Sequence, residues 1–142
     1  MSALLDVNVL VALAWPNHVH HAAATTWFLR EQSAGWATCP VTESGFVRVS
    51  SNQRVIPGAR GPAEAIGVLA RLRRQTGHTF WADDIAMGDC PEIDVGRLSG
   101  YRQVTDAHLV ALTVRRGGRL VTFDRTVADL VPPNVEVEIL SL

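Results

Sequence analysis

Four carboxylates stand where short apolar runs end or where helices are expected to begin. Asp6 directly follows Ala3-Leu4-Leu5, and Asp124 directly follows Leu120-Val121-Thr122-Phe123. Glu43 lies just beyond a run ending near Thr38, in the first turn of a helix expected from Pro40; Asp106 lies in the first turn of a helix expected from Val104. Were they to converge, they would repel: two unit charges about 4 Å apart cost roughly 4 kcal/mol at an effective dielectric of 20. Such a cluster must take up protons or bind a cation, and hard oxygen donors with retained water suit Mg²⁺ or Mn²⁺. An ion of that kind can hold a phosphodiester oxygen, lower the pKa of a bound water and stabilise a leaving oxygen. It also reverses the local charge, so that a polyanion can approach an acidic site. Each acid has a plainer reading. Asp6 could cap a helix, Asp106 could complement a helix dipole, and Asp124 could begin a turn. Glu43 could be a surface acid, although Phe46 and Val47 share its helical face.

The elements that would position these acids follow from the apolar pattern. Ser2–Leu5 is a short apolar run fit for a buried strand, and Val7–Ala14 suits a helix. His18–Gln32 reads as a second helix, Gly35–Thr38 as a strand, and Pro40–Val49 as a helix opened by proline at its first position. Ser50–Pro62, rich in Pro and Gly, is an exposed loop rather than a domain boundary. Ala63–Gln75 repeats Ile66, Leu69 and Ala70 at helical spacing and ends in arginines, where cations suit the dipole. His78–Trp81 is a weak strand, Val104–Arg115 a helix ended by Gly117-Gly118, and Arg119–Phe123 a strand. Val135–Leu140 alternates apolar and acidic residues, as an edge strand does. Strands alternating with helices predict an α/β fold with a parallel sheet covered on both faces. In such a sheet the C-terminal strand ends and the following helix starts share one edge, where sites form. Residues spread from position 6 to 124 are thereby expected to meet.

Composition narrows the function. The chain has 142 residues, within the range of one domain. A formal net charge of −1 argues against a simple polybasic nucleic-acid binder. All 13 basic residues are Arg. Receiver domains and haloacid dehalogenase-like phosphatases also gather acids at strand ends, but both generally need a Lys on the phosphoryl group, and this chain has none. Two cysteines, Cys39 and Cys90, cannot build a framework of several disulfides. No basic segment with a long apolar run opens the chain, and no stretch approaches the roughly 18 apolar residues that cross a bilayer. A cytoplasmic protein with no membrane association is expected.

Other residues invite weaker readings. His18, His20 and His21 do not share one helical face, so the cluster is not read as a metal site. His108, two positions after Asp106, points elsewhere on its helix, and His78 is an ordinary strand or loop residue. Asp83-Asp84 is expected in a solvent-exposed turn. Cys39 is a packed small residue rather than a nucleophile. The four tryptophans could stack on bases, but core or interface packing is the default. Arg102, close to Asp106, is either a phosphate contact or an exposed loop residue.

Leu5-Asp6-Val7-Asn8-Val9-Leu10 resembles the opening motif of PIN domains, and of VapC toxins in particular. Cys39-Pro40-Val41-Thr42-Glu43-Ser44-Gly45-Phe46-Val47-Arg48-Val49 resembles the segment carrying their second acid. Arg102-Gln103-Val104-Thr105-Asp106-Ala107 resembles the segment carrying the third, and Val121-Thr122-Phe123-Asp124 the strand delivering the fourth. The ordered set spans nearly the whole chain. It implies a single PIN domain over 1–142, a three-layer α/β/α fold around a five-stranded parallel sheet, and metal-dependent endoribonuclease activity. It implies Asp6 and Asp106 as the main ligands of Mg²⁺ (or Mn²⁺), with Glu43 and Asp124 completing the acidic site directly or through water. Asn8 and Thr122 would orient carboxylates or waters. Cleavage of tRNA or rRNA with inhibition of growth, a VapB-like antitoxin whose tail enters the cleft, and a homodimer complete the implication. The alternative is an inactive PIN-like module that only binds antitoxin or RNA.

Overall fold

The structure, a computed structural model, describes residues 1–141. Five strands form one sheet in the order β3-β2-β1-β4-β5, and every pairing is parallel. The strands are β1 (Ala3–Leu5), β2 (Trp36–Thr38), β3 (His78–Phe80), β4 (Arg119–Thr122) and β5 (Glu136–Ile139). Five α-helices connect them: α1 (Val7–Ala14), α2 (His21–Glu31), α3 (Pro40–Ser50), α4 (Pro62–Arg73) and α5 (Val104–Arg116). The parallel α/β architecture expected from the sequence is thus the one observed.

The three layers follow from the two-residue period of the strands. Ala3, Leu5, Trp36 and Val121 face a core shared with Val9 and Leu10 of α1, Trp27 and Phe28 of α2, Phe46 of α3 and Leu69 of α4. Leu4, Ala37 and Leu120 face the opposite core, made by Leu109, Val110 and Leu112 of α5 with Trp81, Ile85 and Val127. β1 is therefore buried on both sides, which is why its sequence is apolar without alternation. β3 and β5 are the edges, and the alternation read at Val135–Leu140 corresponds to β5. Arg119 secures that edge: its guanidinium donates to Glu138 Oε2 at 2.8 Å and to Glu31 Oε2 at 3.1 Å.

Two glycines fit these contacts. A Cβ on Gly45 of α3 would lie 2.6 Å from Cγ2 of Val7, so the absence of a side chain lets α3 close on α1 beside the sheet edge. Gly117 ends α5 in the left-handed region, at φ 63°.

Two expectations are corrected. The helix expected from His18 begins at His21, because residues 15–20 make a tight turn in which the His18 N–H donates to the Trp15 carbonyl and the His21 N–H to the His18 carbonyl. Asp83, expected in a solvent-exposed turn, is instead packed against α5, where its Oδ2 lies 2.7 Å from His108 Nε2. Both side chains are more than nine-tenths buried, so the pair ties the segment after β3 to that helix. Among the described residues no helix is long and apolar enough to cross a membrane.

Candidate active site

β1 and β4 are neighbours, and their C-terminal ends deliver Asp6 and Asp124 to one edge of the sheet. The Asp6 N–H continues the β1–β4 ladder, donating to the Val121 carbonyl at 3.0 Å, which fixes the residue before α1 begins. Its side chain then caps the helix: Oδ1 accepts the Val7 N–H at 2.7 Å. The capping reading and the site reading of Asp6 therefore describe one conformation. Asp124 caps a short 3-10 turn over Arg125–Leu130, its Oδ1 accepting the N–H and the hydroxyl of Thr126 at 2.9 and 2.8 Å. Asp106 reaches the same place from the first turn of α5.

Thr122 organises the cluster. Its buried hydroxyl donates to Asp6 Oδ2 at 2.7 Å and accepts from Asn8 Nδ2 at 3.2 Å and from the Asp124 N–H at 3.0 Å. Asn8 Oδ1 in turn accepts the Phe123 N–H at 3.3 Å. One hydroxyl thus couples the first and last acids of the set, 118 positions apart, and its single proton is committed to Asp6.

An open cavity of about 390 Å³ is lined by Asp6, Asn8, Asp106, Asp124, Arg102 and His18, with valines on its flank. Burial raises the Asp6 pKa, opposed by the bonds from Thr122 and Val7, and Asp124 raises it further. Asp106 is pushed up to about 6, by burial first and then by Asp6 and Asp124. Its carboxylate accepts no hydrogen bond from any described side chain or backbone group.

Glu43 stands apart from this cavity. It lines the neighbouring groove between α3 and α4. Its Oε2 accepts the Thr38 hydroxyl at 2.6 Å and its Oε1 accepts Arg73 Nη1 at 2.7 Å. The Thr38 oxygen is also 2.8 Å from His78 Nε2. Because the Thr38 proton goes to Glu43, the His78 ring must donate here. The structure therefore brings together Asp6, Asp106, Asp124, Asn8, Thr122 and Arg102 of the expected set, with Glu43 in the adjoining groove.

The donor chemistry fits a hard divalent cation. A carboxylate that accepts no described hydrogen bond, beside two others, supplies oxygen ligands, and Mg²⁺ is commonly held by only one or two carboxylates while keeping its waters. Among the described residues no three His, Cys, Asp or Glu side chains form a cage able to hold a metal by themselves.

His18, Thr38 and Arg73 were not singled out by sequence as parts of this neighbourhood. His18 reaches the cavity only because the chain turns before α2, and Arg73 reaches Glu43 from 30 positions away. No local pattern announces either contact.

Comparison with known proteins bears on the family and the fold. Residues 3–131 match the family described as PIN domain. The chain is 56% identical over 129 residues to Ribonuclease VapC39 of Mycobacterium tuberculosis, covering 91% of this chain and 93% of that protein. It is 55% identical over 142 residues to Ribonuclease VapC38 of the same organism, covering 99% of each. Among solved structures, a chain of VapBC2 from Rickettsia felis, crystallised bound to a DNA fragment from their promoter, superposes with a TM-score of 0.65 at 10% identity, covering 99% of this chain and 100% of that one. VapC20 of Mycobacterium tuberculosis, described as a Sarcin-Ricin loop cleaving toxin, superposes with a TM-score of 0.59 at 15% identity, covering 91% of this chain and 96% of that one. At those identities the superpositions speak for the fold.

Proposed function

The chain belongs to the PIN-domain family, and from that premise we propose that it is a VapC-type endoribonuclease, the toxin of a VapBC-like pair, which hydrolyses RNA phosphodiester bonds with Mg²⁺ or, in its place, Mn²⁺. The observation that carries this reading is the half-buried, unpartnered carboxylate of Asp106 beside Asp6 and Asp124 in one open cavity. Identity above one half to proteins named ribonucleases supports the activity.

Asp6 and Asp106 would hold the ion, with Asp124 directly or through water. Thr122 and the Val7 N–H keep the Asp6 carboxylate fixed. Asn8 steadies Thr122, so the site is organised before substrate arrives. The bound ion would polarise the scissile phosphate and supply a nucleophilic water at neutral pH. Arg102, exposed at the rim, would meet a neighbouring phosphate. Glu43 would complete the acidic site from the adjoining groove, through water, where Thr38 and Arg73 hold it.

The remaining parts of the reading rest on family likeness. They are one PIN domain over residues 1–142, a tRNA or rRNA substrate whose cleavage stops translation and growth, a VapB-like antitoxin as inhibitor, a homodimer, and a cytoplasmic site of action. The test is cleavage of total RNA with Mg²⁺, with Mn²⁺ and with chelator. Wild type is expected to cut only with the ions, and Asp6→Asn and Asp106→Asn to lose at least ~100-fold, as when transition-state electrostatics are removed. Equal behaviour of wild type and both variants would leave the inactive binding module as the better account.

A further inference from the structure

His18 occupies the turn between α1 and α2 and lines the cavity that holds Asp6, Asp106 and Asp124. The turn holds its backbone through both its N–H and its carbonyl. Its ring is fixed as well, because Nδ1 accepts the His20 N–H at 3.0 Å. A neutral imidazole whose Nδ1 lone pair is engaged carries its proton on Nε2. No described group bonds that Nε2–H.

We infer that His18 is a substrate-binding residue of this site, its Nε2–H donating to a phosphate oxygen of RNA bound across the acidic cavity. The inference rests on the nuclease reading above and adds a contact to it. Burial, followed by the nearby His20 and His21, lowers the His18 pKa and keeps the ring uncharged at neutral pH. Neutrality suits the location. The ring lines the same cavity as three carboxylates, and an uncharged N–H offers a donor to a phosphate without adding a charge beside the proposed ion.

The turn-closing role and the substrate role use different nitrogens, so substitutions separate them. In His18→Asn the amide oxygen can take the His20 N–H, as Asn does in tight turns, but no donor extends to the Nε2 position. His18→Gln has an amide nitrogen at about the reach of Nε2. Affinity for a single-stranded RNA oligonucleotide would be measured by fluorescence anisotropy with Mg²⁺ in an Asp6→Asn background, which prevents turnover. His18→Asn is expected to weaken binding about fivefold, the size of one neutral hydrogen bond lost, with Tm unchanged. His18→Gln is expected to stay within about twofold of the parent. Unchanged affinity in His18→Asn, or a loss of affinity matched by a loss of Tm, would overturn the inference. Failure of the nuclease reading is recognised separately, as wild type that cleaves RNA no better than Asp6→Asn.

Discussion

A carboxyl group that holds its proton more tightly when folded than when unfolded makes stability depend on pH. Asp106 is raised from 3.8 to about 6, so between those values the folded state binds more protons than the unfolded one. Stability from this group is present in full below pH 4 and is lost as pH rises through 6. Metal-free protein is therefore expected to show a Tm that falls between pH 5 and pH 7, by differential scanning fluorimetry in chelator. Asp106→Asn should flatten that fall and raise Tm at pH 7.5, while abolishing cleavage. Mg²⁺ should raise the wild-type Tm more at pH 7.5 than at pH 5, because the ion replaces the missing protons. A flat wild-type profile would mean that neither burial nor the two neighbouring acids hold a proton on Asp106. At this scale, three of the four acids brought by sequence to one edge do meet there, since each follows a strand or opens a helix. Glu43 shows what position alone leaves open. Its helix turn was readable, but the pull of Thr38 and Arg73 was not, because both partners come from other elements.

The join between α1 and α3 sets how close Asp6 and Glu43 can approach. Val7 follows Asp6 directly and Gly45 lies two positions after Glu43, and the missing Cβ at Gly45 is where the two helices touch. Gly45→Ala would gain helix propensity of about 0.5–1 kcal/mol but would overpack a contact at a typical cost of about 1–3 kcal/mol. The clash wins, and a net loss of about 0.5–2 kcal/mol is expected in urea denaturation. Adding Val7→Ala makes room, so the double variant should lose less than the sum of the singles. Strict additivity would mean that the helices do not bear on each other there. The helices themselves were legible, because their apolar faces recur at helical spacing. The start of α2 was not: residues 18–20 were read as its first turn, and only the backbone bonds of the turn over residues 15–20 decide against it. The 3-10 turn at Arg125–Leu130 was legible only as the plainer reading of Asp124, the start of a turn, which its cap realises.

The whole chain offers RNA almost no general attraction. Its net charge is −1 and it has no lysine, so binding must come from local features, chiefly the proposed ion and the few donors at the cavity rim. The parallel sheet was readable from alternating strands and helices. The strand order β3-β2-β1-β4-β5 could not be read from periodicity, because nothing in a three-residue strand identifies its neighbour, and that order is what sets Asp6 beside Asp124. A weakly charged molecule also makes each phosphate contact visible in the salt dependence of binding. Each phosphate neutralised on a single strand contributes a slope of about −0.7 to log K against log salt. If Arg102 makes one such contact, Arg102→Ala in the Asp6→Asn background should weaken RNA binding similarly across sequences and reduce the slope by about 0.7–1. An anisotropy series from about 50 to 200 mM salt resolves a change of that size. Weaker binding with an unaltered slope would assign Arg102 to the shape of the rim, where its guanidinium already lies 5.8 Å from the centre of the Tyr101 ring. The expected result instead gives the rim one positive contact for a phosphate next to the acids, enough to orient a polyanion on a molecule that does not otherwise attract it.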